Sequence, residues 1–255
     1  MKENLATPKS ALSLFLSFLL LSASVCFAET SAKDMIKQGD DLLRGDTSSG
    51  SYKMTVTTAN WTRVLELDAI SKDRNKSFIR IKSPVKEAGI TTLRIDSNMW
   101  NYLPKVERTI KIPPSMMLQS WMGSDFTNDD LVKESSVVND YTHEIINEET
   151  INNEPAYKIK LTPKPEAAVT WGMLIFWVKK DGFMPLREEF YDERGKLIKT
   201  LEYTNPKKMS DRVIPTTWTM RSLVKENNST VIEVIDVTYN KPVKEEVFSL
   251  ANLKR

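Results

Sequence analysis

The sequence predicts a mainly β protein of about ten to twelve antiparallel strands, enough for a strongly curved sheet or a barrel. Three observations carry that expectation. From Tyr52 onward the hydrophobic period is two, as in Tyr52-Met54-Val56, Leu65-Leu67-Ala69 and Ile235-Val237-Tyr239. The residues between are mostly Lys, Glu, Arg and Thr, which suits strands with one wet and one dry face. Turn signals separate the runs, at Ser83-Pro84, Lys180-Asp181-Gly182, Glu193-Arg194-Gly195 and Asn227-Asn228-Ser229, with the spacing of consecutive hairpins.

The chain opens differently. Lys2 and Lys9 make a basic start, an apolar run covers Ala11 to Leu21, and small residues lead to Cys26-Phe27-Ala28. That is the layout of a secretory signal peptide, residues 1–28, cut after Ala28. The apolar run is too short for a good membrane span. Lipidation at Cys26 is the weaker reading, because Val25 stands where a lipoprotein signal wants a small residue. Cys26 is the only cysteine, so the remaining residues 29–255 can form no internal disulfide and must rest on their own core. Export follows as the expectation.

Residues 31–44, SAKDMIKQGDDLLR, read as a helix: Met35, Ile36, Leu42 and Leu43 share one stripe, and Gly45 stands where a helix ends. The strands come next. Ile79-Ile81, Leu93-Ile95, Trp100-Tyr102 and Ile110-Ile112 continue the alternation, followed by Tyr157-Ile159-Leu161, Leu197-Leu201-Tyr203 and Trp218-Met220. In Thr170–Val178, TWGMLIFWV, both faces are apolar, with Trp171, Met173, Ile175 and Trp177 read as pointing one way. Such a strand must be covered on both sides, either by a helix on its outer face, for which 31–44 is the candidate, or by a cavity.

Between strands lies PPSMMLQSWMGSDFTNDDL. Pro113 can open a short helix and Gly123 can close it, placing Met117, Leu118, Trp121 and Met122 on one apolar stripe. Thr127, with Asp130 three residues on, is a candidate cap for a second short helix. Methionine is unbranched and adaptable, so the stripe suits a lid over ligands of varied shape; a fixed plug at the end of the β structure is the alternative.

Chemistry is sparse. The net charge is +2, with acidic and basic residues mixed throughout, which leaves no electrostatic footprint for nucleic acid or for an anionic membrane surface over the chain as a whole. His143 is the only histidine and cannot build a His-rich zinc site alone. Asp125, Asn128, Asp129 and Asp130 lack the spacing of a calcium loop, and helix capping accounts for them. Glu188 and Glu189 occupy adjacent strand positions that face opposite ways. No nucleophile elbow or phosphate loop is present. The expectation is a protein without catalytic residues, cofactor or metal.

The run Asp96-Ser97-Asn98-Met99-Trp100-Asn101-Tyr102-Leu103-Pro104, with Val106-Glu107-Arg108, resembles a segment of the LolA/LolB-like lipoprotein carriers. Met122-Gly123-Ser124-Asp125-Phe126, with Asp129-Asp130-Leu131, is similar to the branch of outer membrane lipoprotein-sorting proteins. The resemblance covers roughly residues 50–250 and implies one domain, 29–255. Its expected form is an open, strongly curved antiparallel half-barrel, with an N-terminal helix and short lid helices over an apolar cavity. It implies a periplasmic carrier that buries the acyl chains of a lipid or lipoprotein for transfer toward the outer membrane, served by an inner-membrane exporter and an outer-membrane acceptor. A periplasmic sensor or accessory module docking another envelope protein is the alternative. The candidate cavity or lid residues are Trp100, Tyr102, Met117, Trp121, Met122, Phe126, Trp171, Met173, Ile175 and Trp177. Carriers of this group have an arginine that ties barrel to lid; Arg74 is the candidate here. A monomer is expected.

Overall fold

A computed structural model describes residues 30–133, 137–167 and 169–254. The stretch read as a signal peptide, with Cys26, lies outside the described residues. Helix α1 (Ala32–Arg44) is capped by Ser31, whose side chain accepts from the Asp34 amide at 3.1 Å. Gly45 follows with φ 61°, a backbone that a side chain disfavours, and its amide closes on the Asp41 carbonyl at 2.9 Å. Met35 and Ile36 are buried, as the stripe requires.

Thirteen strands follow, against the ten to twelve expected. They are β1 (Thr47–Thr57), β2 (Thr62–Lys72), β3 (Lys76–Ser83), β4 (Thr91–Ile95), β5 (Asn98–Leu103), β6 (Arg108–Lys111) and β7 (Tyr141–Ile151). After them come β8 (Glu154–Pro163), β9 (Met173–Lys179), β10 (Pro185–Tyr191), β11 (Leu197–Met209), β12 (Arg212–Ser222) and β13 (Ser229–Tyr239). All join one antiparallel sheet in the order β6-β5-β4-β3-β2-β1-β13-β12-β11-β10-β9-β8-β7. The sheet is not closed: its edges are β6 and β7, which are consecutive in the chain. Every neighbouring pair is a sequential hairpin except β1 with β13, which joins the two halves.

The topology decides where the methionine-rich stretch must go. The chain between the two free edges is described over 112–133 and 137–140; the first of these runs crosses the open side of the sheet, carrying the short helix α2 (Asn128–Lys133). Two apolar clusters face this crossing. One joins α1 to β7–β12 through Met35, Ile36, Leu174, Phe176, Phe190, Leu201 and Met220. The other joins β1–β5 to the crossing segment through Met54, Leu65, Leu67, Met99 and Trp121.

Two expectations are corrected. Helix α1 lies on the inner face of β9, beside Leu174, Phe176 and Val178, and does not cover its outer face. Of the outer residues, Ile175 and Trp177 are buried and Met173 half-buried, with long side chains over Trp177: the Lys158 ammonium sits 4.8 Å from its ring centroid and the Arg187 guanidinium 5.6 Å. Aliphatic stems and cation–π contacts can dry a strand face without a second layer. The second correction concerns 113–123, which is no continuous helix. Short 3-10 turns form at Pro114–Met116 and Trp121–Gly123, with Met122 left-handed at φ 50°. The carbonyls of Met117 and Gln119 accept instead from the amides of Asp129 and Asn128, at 2.7 and 3.0 Å, so the segment doubles back. The proposed stripe therefore breaks: Trp121 is buried, Met117 and Met122 are half-buried, and Leu118 faces solvent.

Candidate functional site

Between the two inner clusters lies a cavity of about 280 Å³. Its floor is the sheet, through Met54, Leu67, Ala69, Phe176, Met220 and Ile232; its walls are α1 and the crossing segment. Tyr52, Trp218 and Tyr203 form an aromatic row on the floor, with successive ring centroids 6.3 and 6.1 Å apart. On one side Trp171 meets Phe190 edge-on at 5.4 Å.

Helix α1 approaches closely because position 39 has no side chain. A Cβ there would stand 2.7 Å from the Phe183 carbonyl oxygen, in the β9–β10 loop. The helix is also held electrostatically. Arg74, at the tip of the β2–β3 hairpin, pairs with Asp40 and Asp41, and Asp40 also binds Arg44 at 2.6 Å. Arg212 donates to the Asp41 carbonyl at 3.2 Å. Arg74, the candidate latch, thus binds the helix and not the methionine-rich segment.

That segment has its own ties. Trp121 donates its indole N–H to Thr92 at 3.2 Å. The Asp125 amide donates to the Thr230 hydroxyl at 2.9 Å, and Asp125 receives that hydroxyl's proton at the same distance. Burial nonetheless raises the Asp125 carboxyl above its ordinary value, against the hydrogen bond from Thr230. Thr127 and Asp130 form the reciprocal cap read from the sequence: the Thr127 amide donates to Asp130 at 2.7 Å, and the Asp130 amide to the Thr127 hydroxyl at 3.1 Å. Asp130 also pairs with Lys199 of β11, both side chains being almost buried, while the Lys199 ammonium stands 4.8 Å from Trp171 and 4.9 Å from Phe190. Arg63 of β2 donates to the Met122 carbonyl and pairs with Glu87 at 3.2 Å.

The candidate residues separate into three groups. Trp121, Phe126 and Trp171 line the cavity. Met117 and Met122 pack behind Trp121 in the second cluster. Trp100, Tyr102, Met173, Ile175 and Trp177 lie on the outer face, the first two under the C-terminal turns that bring in Phe248 and Leu253. Alternation places Met99 inward, so Trp100 must face out. Grouping Trp171 with Met173, Ile175 and Trp177 fails because the regular strand begins only at Met173, after Gly172. The sequence reading missed Lys199 and Arg63. Lys199 was visible in principle: it shares strand parity with Leu197, Leu201 and Tyr203, so a lysine occupied a dry face.

The polar groups at the cavity are already engaged. Glu188 accepts from the Tyr203 hydroxyl at 2.8 Å, Asp129 from the Thr170 hydroxyl, and Asp130 is held by Lys199. His143 is half-buried on β7, its Nε2 2.9 Å from the Val137 carbonyl, with its pKa lowered by burial. Among the described residues, no group of three or more His, Cys, Asp or Glu is placed to hold a metal ion. What the arrangement offers a ligand is apolar contact.

A family model described as "Uncharacterized protein" matches residues 73–255. The chain belongs to that family. No curated protein is significantly similar in sequence. Among solved structures, a DUF1329 family protein from Desulfovibrio piger matches with TM-score 0.80 and 22% identity, over 87% of this chain and 97% of the other. A putative outer membrane lipoprotein-sorting protein domain from Vibrio parahaemolyticus matches at 0.75 and 22%, over 88% and 98%. A LolA superfamily protein from Nitrosomonas europaea matches at 0.73 and 22%, over 88% and 100%. The fold of this family member is therefore LolA-like: mainly β, open and antiparallel.

Proposed function

We propose that the protein is an exported, periplasmic carrier that buries an acyl chain of a lipid or lipoprotein in the cavity between α1 and the crossing segment, and later releases it. The observation that supports this most is an apolar cavity whose wall is the connection between two free sheet edges. A wall of that kind can move without breaking a strand pair. The LolA-like fold, shared with a putative lipoprotein-sorting domain, agrees with the reading.

Burying a methylene is worth about 0.8 kcal/mol, so a long chain gains on the order of 10 kcal/mol before ordering costs. At about 280 Å³ the cavity lies at the small end of ligand sites, near one chain in the closed arrangement. Because the carboxylates at the cavity already have partners, the cargo's polar head would sit at the mouth and its tail inside. The transfer involves no bond-making step, and its acceptor lies toward the outer membrane.

The test is native mass spectrometry of the protein taken from its own cell envelope, followed by lipid extraction and titration with a fluorescent fatty acid. A co-purifying acylated molecule, or saturable binding at micromolar concentration, supports the carrier. A bare protein mass together with no fatty-acid binding removes it.

A further inference from the structure

The two ends of the sheet differ in chemistry. Strand registers place the β2–β3, β4–β5, β7–β8, β9–β10 and β11–β12 turns at one end. Their tips are polar, at Asp73-Arg74-Asn75, Asp96-Ser97, Asn152-Asn153, Lys180-Asp181-Gly182 and Ser210-Asp211, and the apolar Phe183 and Met184 of the β9–β10 turn are half-buried. At the other end, four connections that are neighbours around the rim each expose an apolar side chain. Thr57 pairs with both Thr62 and Ser229, so the β1–β2 turn with Trp61 sits beside the β12–β13 turn with Leu223 and Val224. The β3–β4 loop with Val85 comes next, tied to β2 by Arg63 and Glu87. The turn after β5, with Val106, touches that loop: a Cβ on Gly89 would lie 3.4 Å from Pro104. Val85 is 92% exposed, and Trp61, Val106, Leu223 and Val224 are each 45% or more.

A lysine adjoins three of these tips in the chain: Lys86 beside Val85, Lys105 beside Val106 and Lys225 beside Val224, all exposed. Arg63 stacks on Trp61, with 5.2 Å from guanidinium carbon to ring centroid. Arg108 adds a fourth cation beyond Arg63, against the exposed acids Glu107 and Glu226. Apolar side chains carried one or two to a turn, with charged residues between them, lack the charge-depleted centre of a protein interface. They can each enter the headgroup layer of a bilayer, with lysines reaching back to anionic headgroups and a tryptophan at the boundary.

We propose that this rim docks the protein reversibly onto a lipid bilayer bearing anionic headgroups. The surface adjoins the methionine-rich segment, since Arg63 holds the Met122 carbonyl at the same end. Docking needs no cargo, so it stands or falls separately from the carrier reading.

The experiment is co-sedimentation of the exported chain, residues 29–255, with vesicles of phosphatidylcholine alone or mixed with phosphatidylglycerol. The mixed vesicles should bind it at least about ten-fold more tightly, because each basic residue near an anionic surface adds roughly five-fold. Val85→Asp with Val106→Asp and Leu223→Asp should abolish binding, with circular dichroism unchanged because all three positions are exposed. Lys86→Glu with Lys105→Glu and Lys225→Glu should remove only the preference for phosphatidylglycerol. Absence of vesicle binding overturns the proposal, as does unchanged binding by the triple aspartate variant. Concentration-dependent dimerisation lost in that variant, without vesicle binding, would assign the rim to a second copy of the chain.

Discussion

Arg63 and Met122 connect the sheet to the crest of the segment that crosses the cavity. The guanidinium of Arg63, on β2, donates to the Met122 carbonyl, which faces it because Met122 is left-handed at φ 50°. The same side chain pairs with Glu87 and stacks on Trp61, so its position is fixed from three directions. The guanidinium and the backbone carbonyl lie outside the apolar side-chain pattern, yet together they set how firmly one wall is held.

Arg63→Ala is therefore expected to loosen the crest and spare the sheet. A hydrogen bond to a charged group is worth about 1.5–3 kcal/mol, roughly a ten-fold or larger change in local opening. The Trp121 amide, bonded to the Phe126 carbonyl at 2.7 Å, and the Ser124 amide, bonded to the Trp121 carbonyl at 2.9 Å, report on it. Hydrogen exchange should accelerate at these two amides and not in β12 or β13. A uniform change across the sheet would mean that Arg63 supports global stability and not the crest.

Lys199 and Asp130 tie α2 to β11 through a buried ion pair. Removing one partner leaves an uncompensated charge in an apolar site, so Lys199→Met should cost about 3–5 kcal/mol in urea unfolding. Lys199→Met combined with Asp130→Asn should recover much of the loss, because the remaining carboxamide can still accept from the Thr127 amide. If the double variant is as unstable as the single one, the lysine acts through its packing on Trp171 and Phe190 instead.

The strand pattern was legible because alternation and turn residues are local properties. The hairpin order follows from them; the pairing of β1 with β13, which puts β6 and β7 at the edges, joins residues far apart in the chain and is not local. What alternation cannot give is which face is inner when both are apolar. Trp171 and Trp177 have the same strand parity in the sequence, but one lines the cavity and the other lies on the outer face under Lys158 and Arg187. The break is at Gly172, where a Cβ would stand 2.7 Å from the Asp192 carbonyl oxygen, a contact from another hairpin. Trp100 and Tyr102 misled for a related reason: the cover over them comes from Phe248 and Leu253, far along the chain. The fold back of 113–130 depends on Asn128 and Asp129 capturing the carbonyls of Gln119, Met117 and Met116, about two to three helical turns earlier, which no helical period encodes.

His143 is expected to add an acid-sensitive contribution to stability. Burial holds its imidazole below the ordinary 6.5, outweighing the opposite effect of the Val137 carbonyl. An unfolded chain takes up a proton near 6.5 while the folded chain resists, so this contribution is complete above that pH. It is lost as the pH falls toward and through the lower folded value. His143→Gln, which can still donate toward Val137, should show a smaller drop in urea midpoint between about pH 7.5 and about pH 5.5 than the parent protein. Equal drops in the two would place the acid sensitivity on the carboxylates.

The cavity itself is best probed by filling it. Ala69 lies on its floor, in β2, between larger neighbours, so Ala69→Phe adds a ring where there is free volume. Filling existing space adds apolar contact, and stability should be unchanged or higher, whereas a ring forced into close packing typically costs about 1–3 kcal/mol. Fluorescent fatty-acid binding should fall by at least about ten-fold, since losing two methylenes' worth of burial already costs that much. Ile175→Ala provides the reverse comparison on the same sheet. Ile175 is buried on the outer face of β9, away from the cavity, so its loss should cost about 2–5 kcal/mol and leave fatty-acid affinity alone. Stability and binding would then move independently in the two variants, which is the behaviour of a ligand site and not of a solid core. Were Ala69→Phe to destabilise the protein as much as Ile175→Ala, the space between α1 and the crossing segment would have to be read as packed interior.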